Sequence, residues 1–403
     1  MATSTRRSPL FVILFTVFVD LIGFGVVVPL MPFYARAMSG GPAILGLLVA
    51  SFFLMQFLFA PVFGWLSDHL GRRPVLLGTL VLATAGHLLL SVANTLILLF
   101  GARILAGVAS GNLAVAQAFV ADRTRPERRA RAMGLIGAAF GVGFAVGPVI
   151  GGTLAPFGLW APALAAAALA GTNLVLATLF LPESLAPELR SIREPTRTAS
   201  LREAIQRPAI PALLATFFVV SFSFSTVPVA FPLLGIDYFG LVPAQLALIF
   251  VYIGVINIVF GTAAGRLARR VGEERFVAGG TFAMMAGLAS VPMIRDLSAY
   301  VLLVGVVATG VAIAFPLIPS LVSKRSPPRE QGAVLGITQS FGSLARVPGP
   351  LVAGFLYEQT NPAAPFVLSA GLMALGFAMT LLVYRESRRT VAPGSAALAP
   401  SDE

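Results

Sequence analysis

Long hydrophobic runs separated by short polar segments repeat along the whole chain. Most are about 20 residues long, the length that an α-helix needs to cross the hydrocarbon core of a bilayer. The runs are continuous rather than alternating, and at this length they predict helices rather than strands. We predict twelve transmembrane spans, which lie near residues 9–33, 43–65, 75–93, 96–120, 132–155, 159–181, 209–234, 243–264, 276–294, 298–322, 332–356 and 363–384.

The longest polar segment follows the sixth predicted span. It holds four prolines and the pattern Ser200-Leu-Arg-Glu203, a capping box that predicts one short surface helix. The chain therefore divides into four parts. These are an N-terminal six-helix bundle at 1–181, a cytoplasmic linker at 182–208, a C-terminal six-helix bundle at 209–389 and a disordered tail at 390–403.

The two halves repeat each other. Gly64–Gly71 follows the second span, and the similar Gly265–Gly272 follows the eighth. Gly147–Gly152 in the fifth span recurs as Gly349–Gly354 in the eleventh. We therefore predict an all-α polytopic membrane protein with twelve transmembrane helices in two pseudo-symmetric six-helix bundles. A duplicated bundle with a site at the midplane between its halves is a transporter architecture.

Composition and charge support this topology. Hydrophobic residues make up 57% of the chain and charged residues 11%, against about 25% in soluble domains. Of the 28 basic residues, 24 lie in alternate polar segments; Arg36 and Arg295 lie on the opposite side, and Arg103 and Arg346 lie within spans. Positive charge marks the cytoplasmic side, so we place both termini there and expect no nucleic-acid partner.

One acidic residue stands deep inside a span. Asp20 lies in the first span, where a charge costs about 2.5–3.5 kcal/mol on insertion scales, and ionisable residues there are usually functional. Arg103, in the fourth span, is the basic residue within the spans of the same half. We predict that these two residues couple transport to protons, with Asp20 exchanging between a proton and Arg103 or a cationic substrate. A purely structural ion pair is the alternative.

The segment after the second span, Gly64–Arg73, contains charged residues together with glycines, which permit tight turns. An acid here could pair with the N-terminus of a neighbouring helix, whose dipole favours an anion. Asp122, at the end of the fourth span, is the expected partner of Arg72 or Arg73. The alternative is ordinary topological charge. The predicted conformational latch consists of Gly64, Asp68, Gly71, Arg72, Arg73 and Asp122.

Small residues at four-residue intervals in the fifth span let helices approach closely. Pro148 bends this helix. Simple packing explains the glycines, and a surface along which the halves slide is the mechanistic interpretation. The motif residues are Gly143, Gly147, Pro148, Gly151 and Gly152.

Aromatic and uncharged polar residues in the spans could line a substrate pocket, although interhelical packing and hydrogen bonds explain them equally well. Asn112 and Asn173 belong to this ambiguous group. Arg346 could bind an anionic substrate or reach a helix end. The candidate substrate contacts are Gln56, Phe57, Gln117, Phe140, Phe144, Phe222, Tyr252, Asn257, Phe315, Gln339 and Arg346.

The chain has no cysteine, two histidines and no phosphate-binding loop of the Gly-x4-Gly-Lys-Ser/Thr type. It also lacks a nucleophile–base pattern and a cluster of metal ligands. We therefore expect no enzyme activity, no metal and no cofactor, and no ATP hydrolysis as the energy source.

Several motifs resemble those of one transporter family. Gly64–Pro74 resembles the signature loop of the major facilitator superfamily, and Arg103–Gly111 resembles the fourth-helix motif of its proton-coupled members. Gly143–Gly152 is similar to the fifth-helix antiporter motif. Asp20–Pro32 and Leu181–Ser184 resemble the twelve-span drug:proton antiporters, including the tetracycline-resistance group.

The resemblance implies a major facilitator fold and a latch that favours the outward-open state by contacting the eleventh span. It implies proton-coupled export of hydrophobic, cationic or zwitterionic molecules from a bacterial inner membrane. We also expect the protein to be a monomer. The partners are then a small-molecule substrate, protons and lipid. Tetracycline itself stays an open question, because the eighth and ninth spans lack the histidine and the acid of that group. The alternatives are a metabolite importer or symporter, a lipid exporter, or a non-transporting membrane scaffold.

Overall fold

A computed structural model of the chain describes residues 9–124, 126–185, 206–207, 209–327 and 330–391. The predicted linker helix, and the tail from residue 392, lie outside these ranges. Within them the chain forms fifteen α-helices. They are α1 Pro9–Val27, α2 Met31–Ala37, α3 Pro42–Leu70, α4 Arg72–Ser91, α5 Leu96–Ala109, α6 Asn112–Arg123, α7 Pro126–Leu154, α8 Trp160–Phe180, α9 Ile210–Phe239, α10 Pro243–Val271, α11 Glu273–Ser290, α12 Leu297–Lys324, α13 Gln331–Ala345, α14 Pro348–Gln359 and α15 Ala364–Val391.

These helices account for the twelve predicted spans. In the described part of the chain, ten continuous segments are long and apolar enough to cross a membrane, and they include α1–α2 and α5–α6 as single segments. The two other spans are α7 and the pair α13 and α14. The all-α membrane fold predicted from the hydrophobic runs is confirmed.

Prolines and glycines decide where the helices break. Pro29 lies in a short 3-10 turn between α1 and α2, where its missing N–H interrupts the α-helical hydrogen bonds. Gly71 separates α3 from α4 with φ 104°, and Gly272 separates α10 from α11 with φ 95°. Both angles favour glycine. Equivalent glycines thus make the same turn in both halves of the sequence repeat.

Contacts divide the chain into two compact units. The first contains residues 1–196, 225–258 and 346–365. The second contains residues 197–224, 259–345 and 366–403. The first unit therefore holds the N-terminal helices together with parts of α9 and α10 and all of α14. The predicted bundle boundaries at residues 181 and 209 stay a prediction.

Glycines let α7 lie directly on the backbone of α1. A Cβ added at Gly147 would lie 2.6 Å from the carbonyl oxygen of Ile22, and one added at Gly151 would lie 2.5 Å from that of Val26. Gly143 likewise faces Leu21. These three motif glycines therefore hold α7 against α1, the helix that carries Asp20.

The neighbouring face of α7 approaches α10. A Cβ added at Gly152 would lie 2.6 Å from the Cβ of Ala247. On α14, Gly354 approaches the backbone oxygen of Pro42 at the start of α3. Small residues thus permit close contact between helices of the two sequence halves inside the first unit. The proposed sliding surface has its physical basis here and stays a prediction.

We expect Gly147→Ala to lower the free energy of unfolding by about 1–3 kcal/mol, because the added methyl group meets backbone atoms that cannot turn aside. Gly78→Ala in α4 is the matched control, since a Cβ there meets nothing within 4 Å. Thermal unfolding in detergent measures both variants. Equal midpoints would show that the α1–α7 contact is looser than described.

Candidate functional site

Asp20 is held by a neutral amide. Its Oδ2 accepts a hydrogen bond from Nδ2 of Asn112, the first residue of α6. Asp20 is half-buried, and Asn112 is 9% exposed. Asn112 therefore forms an interhelical hydrogen bond, as expected for a polar residue in a span. The sequence did not indicate which residue it would bind.

Arg103 does not pair with Asp20 in this structure. Its side chain is buried, with 4% exposure, and its guanidinium carbon lies 4.5 Å from the ring centroid of Phe52. Among the described residues no ion pair includes Arg103, and its Nε has no hydrogen-bond partner. The predicted exchange of Asp20 between a proton and Arg103 stays a prediction.

Other polar groups face α1 on either side of Asp20. Nδ2 of the buried Asn173 in α8 donates to the backbone oxygen of Thr16 at 3.2 Å. A Cβ added at Gly23 would lie 3.0 Å from Nε2 of His87 in α4. The part of α1 around Asp20 is therefore bordered by polar side chains from α4, α6 and α8.

Arg72 forms the centre of a buried charge cluster. Its side chain is 1% exposed, and its Nη2 lies 2.7 Å from Oδ1 of Asp68. Its Nε donates to Oδ2 of Asp122 at 3.1 Å, and its Nη1 donates to Oγ of Ser67 at 2.6 Å. The expected pair of Asp122 with Arg72 is present. The approach of Asp68 to the eleventh span stays a prediction.

Glu183 completes this cluster. Helix α4 begins with two arginines, although a helix N-terminus favours negative charge. The carboxylate of Glu183 accepts from the backbone N–H groups of Arg72 at 2.9 Å and Arg73 at 3.2 Å. It thus caps the helix and supplies the missing anion. In the sequence this residue stood out only as part of the Leu181–Ser184 resemblance.

The second half of the sequence repeat has an equivalent cluster with the charges reversed. Nζ of Lys324 lies 2.6 Å from Oε1 of Glu273, and Nη2 of Arg325 lies 3.0 Å from Oε1 of Glu274. Here the acids begin a helix and the bases end one, which suits both helix dipoles. The same helix ends are joined in both halves, although the signs of the charges at the helix start differ.

Comparison with known proteins identifies the family. The sequence profile described as Major Facilitator Superfamily matches residues 13–350 and 302–401. The chain belongs to the Major Facilitator Superfamily. It is 34% identical over 358 residues to the class C tetracycline resistance protein of Escherichia coli, covering 87% of this chain and 90% of that protein.

Two further relatives of this superfamily member cover almost its whole length. It is 28% identical to multidrug resistance protein 2 of Bacillus subtilis, with 96% of this chain and 98% of that protein aligned. The crystal structure of the human organic anion transporter MFSD10 (TETRAN) superposes with a TM-score of 0.71 and 25% identity. That superposition covers 94% of this chain and 100% of the human chain.

Several candidate substrate contacts of this superfamily member are packed against other residues. The ring of Phe144 is buried, 5.9 Å from that of Phe24 and 6.2 Å from that of Phe250. The ring of Phe315 lies 5.4 Å from that of Phe217. These rings pack with other aromatic rings, the alternative that the sequence left open. Whether they also meet a substrate stays a prediction.

The other candidates differ in exposure. Asn257 donates to the backbone oxygen of Ile253 in its own helix at 3.0 Å. The side chain of Phe140 lies outside the described side chains. The remaining candidates stay predicted contacts. Phe222 is buried, Gln56, Phe57 and Arg346 are half-buried, and Gln117, Tyr252 and Gln339 are exposed.

A second polar cluster joins helix ends that are far apart in sequence. Asp237 at the end of α9 accepts from Nη2 of Arg36 at 2.5 Å and from the hydroxyl of Tyr357 at 2.7 Å. Glu358 in α14 accepts from the backbone N–H of Ala43 at 2.7 Å. This Asp237 cluster, Arg36, Ala43, Asp237, Tyr357 and Glu358, ties α9 and α14 to α2 and α3 within the first unit.

We expect Asp122→Asn to lower the free energy of unfolding by roughly 3 kcal/mol, because it removes one of the two carboxylates that pair with a buried guanidinium. Lys324→Gln at the equivalent pair is the matched control. Lys324 is 63% exposed, so its loss costs at most about 1 kcal/mol. Chemical denaturation in detergent compares the two variants, and equal losses would contradict a special role for burial.

Proposed function

We propose that this transporter exports hydrophobic, cationic or zwitterionic drugs in exchange for protons by alternating access. The observation that carries the proposal is the half-buried Asp20 in α1, hydrogen-bonded to Asn112 inside the N-terminal helices. The similarity to tetracycline and multidrug resistance proteins supports export. It does not favour the metabolite importer, the lipid exporter or the non-transporting scaffold.

The Asp20–Asn112 pair suits a group that gains and loses a proton. An asparagine amide carries both donor hydrogens and an acceptor oxygen. The ionised carboxylate accepts from Nδ2, as described. After protonation, the carboxylic acid can donate to Oδ1 once the amide turns. Asp20 therefore keeps a hydrogen-bond partner in both states, which lowers the cost of moving a proton inside the membrane.

Alternating access requires the helix ends to separate in turn. The Asp237 cluster holds helices of the two sequence halves together at one end, and it must break before a substrate passes there. The Arg72 cluster contains Asp68, Arg72 and Asp122 of the predicted latch and joins α3, α4 and α6 of the N-terminal half. The charged pair in the Asp237 cluster suits opening because water solvates both partners when they separate. Asp20 and Arg103 are the proposed proton-coupling residues.

The distribution of basic residues supports an inner-membrane orientation with both termini in the cytoplasm. The Arg72 cluster then lies at the cytoplasmic surface and the Asp237 cluster at the opposite surface. We also propose that the transporter acts as a monomer, with a small-molecule substrate and protons as its partners.

We expect Asp20→Asn to abolish drug resistance in an efflux-deficient bacterium, because the amide cannot exchange a proton. Drug-dependent alkalinisation in proteoliposomes measures the same loss directly. Glu386→Gln, at an exposed acid near the end of α15, is the matched control and should behave like the natural protein. Proton-driven transport by Asp20→Asn would refute the assignment of coupling to Asp20.

The orientation has its own test, since the chain contains no cysteine. We expect Asn94→Cys, in the exposed loop between α4 and α5, to react with a membrane-impermeant maleimide in whole cells. Arg269→Cys, exposed near the end of α10, should react only after the cells are opened. The reverse labelling pattern would place the termini outside the cytoplasm.

A further inference from the structure

His87 is a buried titratable residue that the proposed function does not use. It lies in α4 and is 9% exposed. Its Nε2 lies 3.0 Å from the position that a Cβ would take at Gly23 of α1. Within the described part of the chain the imidazole ring forms no hydrogen bond. A buried polar ring without a partner costs stability, and an apolar side chain would fill this place without that cost.

The contact with Gly23 brings His87 near Asp20. Gly23 follows Asp20 by three residues in α1, and residues at this spacing share one helix face, with Cβ positions about 5–6 Å apart. Nε2 of His87 therefore lies within about 9 Å of the Cβ of Asp20. Water molecules that bridge polar groups can span such a gap.

Few ionisable groups face this part of α4. Asp20 lies on α1, and Arg103 on α5 interacts electrostatically with His87. Helices α3, α6 and α8 also pack against α4. Helix α8 contains no ionisable residue, and those of α3 and α6 lie at their cytoplasmic ends, in or beside the Arg72 cluster. His87 therefore lies between one carboxyl group and one fixed positive charge.

His87 lies closer to the extracellular surface than Asp20 does. With the termini in the cytoplasm, as proposed above, α1 runs outward from Pro9, and Gly23 lies about 4.5 Å beyond Asp20. Helix α4 also runs outward and ends at Ser91, about 6 Å beyond His87. A proton that enters from the extracellular side therefore passes the level of His87 before it reaches Asp20.

We propose that His87 relays protons between the extracellular side and Asp20. A neutral imidazole carries a hydrogen on one ring nitrogen and a free lone pair on the other. A hydronium ion gives its proton to the free nitrogen and becomes water, and the other nitrogen releases its proton through water to the Asp20 carboxylate. The carboxylate becomes a neutral acid, and the ring regains its starting arrangement when it turns over.

The relay leaves His87 neutral at its end, so it places no lasting second positive charge beside Arg103. A histidine suits this task because it accepts and donates at different atoms. Asp20 remains the residue that holds the proton during transport. This inference rests on the proposed function and adds a second proton-carrying residue to it.

The chain contains two histidines, so the ring of His87 can be observed directly. We expect histidine-labelled protein in lipid nanodiscs to give two sets of ring NMR signals. His69→Gln, at an exposed histidine near the end of α3, assigns them. One pH-dependent change in the His87 signals should report protonation of Asp20 and disappear in Asp20→Asn, while His69 titrates as before. His87 signals that do not respond to Asp20→Asn would overturn the proposal.

Transport rates test whether His87 carries protons. We expect His87→Gln to lower the maximal rate of proton-driven ethidium export in proteoliposomes by about tenfold or more, since a positioned proton-transfer group typically contributes about a hundredfold or more. The KM for ethidium should not change, because the relay acts on the proton and not on the dye. His69→Gln is the matched control and should keep the natural rate. A natural rate in folded His87→Gln would contradict the relay.

Gly23→Ala provides a second variant should His87→Gln not fold. It keeps both His87 and Asp20 but places a methyl group 3.0 Å from Nε2, so the ring has to shift and the export rate should fall several-fold. Gly78→Ala in α4, where a Cβ meets nothing within 4 Å, is its control.

The relay and the proposed function fail in different ways. Natural rates in His87→Gln and Gly23→Ala, together with an inactive Asp20→Asn, would remove the relay and leave coupling through Asp20 intact. Proton-driven export by Asp20→Asn would instead remove the proposed coupling. The NMR measurement needs neither a substrate nor a proton gradient, so it decides the contact between His87 and Asp20 independently of transport.

Discussion

A polar group inside a membrane helix must find its partner within the protein, because the hydrocarbon offers none. This constraint explains two interhelical hydrogen bonds inside the spans of the first unit. Asp20 is satisfied by Asn112, and Asn173 bonds the backbone of α1. The constraint is met only in part, since Nε of Arg103 and Oδ1 of Asn173 are both buried without a hydrogen-bond partner among the described residues.

Both halves of the sequence repeat join the start of one helix to the end of another by a charged pair. Arg72 and Glu273 hold equivalent positions directly after Gly71 and Gly272; Arg72 pairs with Asp122 and Glu273 with Lys324. An acid suits the start of α11, whereas arginine does not suit the start of α4. Glu183 compensates in the first half by accepting from the N-terminal N–H groups of α4. A carboxylate therefore lies at the N-terminus of both helices: Glu183 supplies it for α4, and Glu273 supplies it for α11.

The motif glycines determine how closely α7 packs against its neighbours. Gly147 and Gly151 bring α7 against α1, so Asp20 is carried on a helix packed directly against another. Gly152 faces α10 with no side chain to interlock. The contacts of these glycines are close van der Waals contacts, whereas the Asp237 cluster joins its helices through hydrogen bonds. Close packing and breakable polar contacts together suit a protein that changes conformation without losing its helices.

The sequence by itself determined the helical spans, the internal repeat, the unusual position of Asp20 and the pairing of Asp122 with the Arg72–Arg73 segment. These features follow from local periodicity and from the cost of charge in hydrocarbon, and both can be judged from the amino-acid sequence alone. Only the tertiary structure decided that Asn112 binds Asp20, that Glu183 caps α4 and that Phe144 packs beside Phe24. Each of those contacts joins helices that are far apart in the chain, where spacing gives no indication of which side chains meet.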